Sequence, residues 1–143
     1  MYNFLQPLHS HFRWIIFLAA IIAILLPIVN AKQAVNKKSK LPALVFMIVM
    51  DLQFLMGILL YFFYSPFGLS AFENGMAFVM KNGDIRKIAV EHFTLMLLAW
   101  GLVHVGYSKI KKSMDGKHLQ KTSLIFFGIA LVLILAGIPW GRI

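Results

Sequence analysis

Apolar positions in this chain gather into four long runs separated by short polar stretches: Trp14 to Asn30, Leu41 to Tyr64, Ile88 to Tyr107 and Ser123 to Trp140. Crossing a hydrocarbon core as an α-helix takes roughly 17–25 residues, and each run meets that length. The runs lack the period-2 alternation of barrel strands and are too long for them. In lipid every backbone polar group has to be satisfied inside its own segment or in a closed barrel, so the pattern predicts helices. The expected fold is all-α, a four-helix transmembrane bundle running up-down-up-down, with spans at about 8–30, 41–64, 86–107 and 123–140. The 143 residues then form a single membrane domain, 1–143.

Local signals fit these spans. Pro7 suits the first turn of a helix that starts before the lipid. Ser39 is a candidate cap for the second helix, with Pro42 in its first turn, as are Asp84 for the third and Thr122 or Ser123 for the fourth. Pro139 ends the fourth span, and Trp140 joins Trp14 at one interface as an aromatic belt. The stretch Ala71 to Met80 mixes Phe, Met and Val with Glu73 and Asn74, which predicts a short helix lying on the surface.

Composition agrees with a lipid solvent: 60% of residues are hydrophobic and 13% charged, against nearer half and a quarter in soluble domains. The net charge of +9 invites a nucleic-acid reading, but its distribution argues for topology instead. Lys32, Lys37, Lys38, Lys40, Lys109, Lys111, Lys112, Lys117 and Lys121 fall in two loops on one side, nine of the 14 basic residues. Arg13, Lys81, Arg86, Lys87 and Arg142 fall on the other. Retention of positive charge in the cytoplasm predicts a multi-pass protein with both termini outside. Arg13 directly precedes a full-length run with no small-residue cleavage motif after it, so the first span is expected to be retained. Cysteine is absent, which excludes disulfides, thiol-redox chemistry, covalently attached haem and cysteine-held iron–sulfur clusters.

Ionisable groups at membrane depth are costly unless paired, wetted or ligated. They are therefore the candidate site: His9, His11, Arg13, Asp51, Glu91, His92 and His104. The assumed topology sets His9, His11 and Arg13 at the same level as Glu91 and His92, with Arg86 and Lys87 just above. His104 lies twelve residues, roughly 18 Å, deeper than His92. Two imidazoles on different helices at one depth are what axial ligation of a haem b requires, and His9 with His92 is the favoured pair. Arg13, Arg86 and Lys87 would meet its propionates, and Phe12, Phe17, Phe93, Met96 and Trp100 would wall it.

Other readings stay open. His9-x-His11 with Glu91-His92, His9 and His92 above all, also suits a Zn, Cu or Fe ion through nitrogen and oxygen ligands, although His9 and His11, two apart on a helix, point in divergent directions and cannot share one unless the helix starts later. Each histidine is also comfortable as a boundary or structural residue, His104 by reaching the headgroups. Asp51, beside Gln53 near mid-span, suits either interhelical hydrogen bonding or a small proton-coupled carrier. A cofactor-free accessory or scaffold subunit is a third possibility, and homo-oligomerisation is open. No catalytic residue is assigned.

Several segments carry a resemblance: Leu8-His9-Ser10-His11-Phe12-Arg13-Trp14, Asp51-Leu52-Gln53, Gly57-Ile58-Leu59-Leu60-Tyr61-Phe62, Val90-Glu91-His92-Phe93-Thr94-Leu95-Met96, Gly106-Tyr107-Ser108-Lys109 and Gly137-Ile138-Pro139-Trp140. In this order, over nearly the full length, the chain resembles a family of small four-span bacterial membrane proteins labelled "cytochrome B"-like. The resemblance implies roles for His9, Arg13, Gln53, Glu91 and His92. It departs at Asp51, where relatives often carry His, so a ligand set that included that position would be incomplete here. The function expected is one-electron transfer through haem with a quinone or redox-protein partner in the lipid bilayer, without nucleic acid.

Overall fold

The computed structural model describes residues 1–142; Ile143 and the Arg142 side chain lie outside the described residues. Helix makes up 86% of the chain, with no strand among the described residues. Four helices are long and apolar enough to cross a membrane: Tyr2–Val29, Lys37–Tyr64, Gly83–Lys111 and Gly116–Gly137. They are called here the first to fourth spans. Each packs against the next in chain order, and the fourth returns to the first, giving a four-cornered bundle.

The spans start earlier than the apolar runs alone suggest, because the caps lie further out in the polar loops. Asn36 caps the second span, and Ser39 sits three residues inside it, returning a bond to the Asn36 N–H. Ser39 is thus the partner of the cap rather than the cap expected. Asn82, not Asp84, accepts from the Ile85 N–H at the third span. Asp115 caps the fourth by accepting from Lys117 and His118 N–H groups, which leaves Thr122 and Ser123 buried inside the helix. Pro7 also lies inside its helix rather than in the first turn. The surface segment is two short helices, a 3₁₀ piece at Leu69–Asn74 and an α-helix at Met76–Lys81, split at Gly75, whose φ of 90° suits only glycine.

The core is packed most tightly in the half towards the lysine-rich loops. Phe46 and Phe127 meet edge to face at 5.1 Å, both fully buried. Ala20, Ala99 and Ala130 are also fully buried; such small residues let helices approach where lipid supplies no hydrophobic drive between them. At Gly106 a Cβ would come within 2.7 Å of the Phe126 Cβ, so the third and fourth spans touch there through glycine. The lysine-rich end is laced together by Lys40, whose Nζ donates to the Lys111 carbonyl at 2.7 Å.

At the other end the helices loosen. The second and third spans each contain a π-helical turn, Leu60–Tyr64 and Lys87–His92, and a third such turn lies at Ser123–Phe127. Widened turns of this kind are rare and frequent at functional sites. The first two face each other: the Tyr61 hydroxyl donates to the Ala89 carbonyl at 2.9 Å. Between them and the first span the bundle opens into a cavity.

Candidate functional site

The cavity has a volume of about 430 Å³ and is lined from all four spans, a size typical of small-molecule and cofactor sites. Its apolar wall includes Ile16, Phe54, Phe93, Met96, Ile134 and Ile138. Its polar groups include His9, Arg13, Gln53, Tyr61 and His92.

His9 reaches the cavity because its helix faces Gly57. A Cβ on Gly57 would lie 3.3 Å from the His9 ring carbon Cε1, so the missing side chain is what accommodates the imidazole. Gln53, one turn away from Gly57, donates its amide to the His9 carbonyl at 2.9 Å. His92 is placed by the π-turn of the third span. Its Nδ1 lies 2.9 Å from the Gly137 carbonyl. A carbonyl only accepts, so Nδ1 carries the proton and Nε2 of the neutral ring is left with a free lone pair. A ring N–H held by a carbonyl in this way fixes the direction of the other ring nitrogen.

The two rings stand 6.1 Å apart between centroids, at 85° to one another. Three further polar atoms at the cavity, His9 Nδ1, Arg13 Nε and Gln53 Oε1, are buried without a hydrogen-bond partner. Each such atom costs about 1–3 kcal/mol if left unmet, so these three call for polar partners within the cavity. The donor set therefore fits haem: two imidazoles, an apolar slot and a guanidinium for a carboxylate. Among the described residues no group of three or more His, Cys, Asp or Glu side chains is gathered to hold a metal ion.

The remaining candidates lie elsewhere. His11 is exposed, its Nδ1 bonded to the Pro7 carbonyl at 2.7 Å. Glu91 does not line the cavity; it pairs with Arg86 at 3.1 Å and Lys87 at 3.4 Å. Arg86 also donates to the Met80 carbonyl and Lys87 to the Ala136 carbonyl. Both cations are thus committed to protein partners, and Arg13 is the basic residue at the cavity. Phe12, Phe17 and Trp100 do not form its wall. Trp100 donates to Asp51 Oδ1 at 2.7 Å, and His104 Nε2 binds the same oxygen at 2.7 Å. His104 thus serves a carboxylate within the span rather than the headgroups.

Tyr61 and Gly57 line the cavity and Gly137 bonds His92, placements that the candidate residues did not reveal. A lone glycine inside an apolar helical run is the signal for Gly57. Nothing in the pattern marks the π-turns. Comparison with family models, curated proteins and solved structures finds no match.

Proposed function

We propose that His9 and His92 hold a haem b in this cavity and that the protein passes single electrons between it and a quinone or a partner redox protein. The observation that carries this reading is the pair of imidazoles 6.1 Å apart across an apolar cavity. Haem, when bound, supplies a one-electron couple whose potential the surrounding protein tunes. His92 is held to one tautomer by the Gly137 carbonyl, and His9 is held in place by Gly57. Arg13 offers positive charge to a propionate. Phe54, Phe93 and Met96 exclude water and keep the dielectric low.

The lysine-rich loops favour a cytoplasmic location for their end of the bundle. The cavity then opens near the periplasmic face of a bacterial inner membrane, with both termini on that side. A site at one end does not conduct across the bilayer alone, so an electron-transfer partner is part of the reading. So is membership of the "cytochrome B"-like family.

Purification in mild detergent followed by a reduced-minus-oxidised spectrum tests the proposal. A Soret band that moves on reduction is expected. A colourless protein after haem supplementation overturns it and leaves the scaffold and Asp51-carrier readings.

A further inference from the structure

Asp51 and His104 sit on the outer side of the groove between the second and third spans. Residues facing the bundle interior, Phe46 and Met50 on one helix and Ala99 and Val103 on the other, are almost fully buried. Asp51 and His104 are turned away from them, and their side chains remain 43% and 35% exposed. A helical rise of 1.5 Å per residue places the pair roughly 10–16 Å from the Lys40–Lys111 contact, at hydrocarbon depth. Two protonatable groups facing lipid there are unfavourable unless something polar covers them.

Only half of each group is used within the chain. Oδ1 of Asp51 accepts from both Trp100 and His104. Oδ2 and His104 Nδ1 have no hydrogen-bond partner among the described residues and are not buried. One free acceptor and one free ring nitrogen, adjacent and at one depth, form a self-complementary patch. A two-fold axis along the bilayer normal conserves depth, so it sets this pair against its own copy. The free ring nitrogen of each His104 then meets the free carboxylate oxygen of the partner's Asp51, in two symmetry-related contacts.

The surroundings suit close approach by another helix. Gly101 is one turn from His104 on the same face, with open space where its side chain would be. Around it Ile48, Leu55 and Leu97 are 43–56% exposed and supply an apolar rim. Small residues beside interhelical polar contacts are the usual means of association in lipid.

We infer that the chain forms a two-fold homodimer through the second and third spans, with the Asp51–His104 pairs of the two copies bonded across the axis. This surface is separate from the histidine cavity and does not depend on what the cavity holds.

The chain has no cysteine, so a single introduced one reports proximity without interference. In lipid nanodiscs, Gly101→Cys is expected to cross-link to a dimer on mild oxidation, while Val132→Cys on the exposed face of the fourth span is not. Single-molecule photobleaching of the labelled wild-type chain is expected to show two steps. Gly101→Leu, and separately Asp51→Asn, are expected to weaken dimerisation by about three- to twentyfold, with unchanged helix content by circular dichroism as the check on folding. A wild-type chain that bleaches in one step at every protein-to-lipid ratio overturns the inference. So does cross-linking through Val132→Cys in place of Gly101→Cys.

Discussion

The Tyr61 hydroxyl bonds the Ala89 carbonyl at 2.9 Å while its ring stacks on Phe93 at 4.2 Å. One side chain thereby joins two π-turns and forms part of the cavity wall. Replacing Tyr61 by Phe keeps the stack and leaves the carbonyl unmet. A loss of about 1 kcal/mol is expected, read as a lower midpoint for unfolding in detergent.

His9→Ala and His92→Ala are each expected to abolish the haem spectrum, whereas His11→Ala leaves it unchanged. The contrast rests on direction: His9 lines the cavity, and His11 is exposed and bonded to Pro7. Equal loss in all three variants would show that the spectrum does not report the proposed pair.

Gly57→Val should displace the His9 ring, which already stands 3.3 Å from where the first new carbon would go. The expected effect is a fall in haem affinity of about 10–100-fold, the range seen when the support of a ligating histidine is disturbed. Titration of the apoprotein with haem measures it, and an unchanged affinity would show that Gly57 does not hold the ring.

Gly106→Ala places a methyl group 2.7 Å from the Phe126 Cβ. That atom is tied to its backbone and cannot swing aside, so a loss of about 1–3 kcal/mol is expected from overpacking. Chemical unfolding in detergent gives the value. Gly128→Ala, where nothing lies within 4 Å, is the matched control and should be nearly neutral.

Glu91→Gln tests whether the Arg86–Glu91–Lys87 cluster serves the cavity. Its partners are 36–40% exposed, and an exposed ion pair contributes about 0–1 kcal/mol. Little change in stability and none in the haem spectrum is expected.

Much of the architecture was legible from hydrophobic run length alone, because lipid leaves a chain few alternatives to the spanning helix. Helix ends were less legible. Asn36, Asn82 and Asp115 take the capping roles expected of Ser39, Asp84 and Thr122 or Ser123, since polar loop residues compete closely and the choice depends on how the chain enters each helix. Depth counting placed His9 and His92 together. It could not resolve rotation about the helix axis, which turns Glu91 away from the cavity and Trp100 towards Asp51. Run length and titratable residues also gave no means of seeing the π-turns, which shift the phase of the side chains within an unbroken apolar segment.

The Gly137 carbonyl that holds His92 belongs to the closing turn of the fourth span, just ahead of Ile138 and Pro139. A change in that turn therefore moves the carbonyl that orients an imidazole, so the far, lysine-bearing loops are the safer place for a purification handle in spectroscopy.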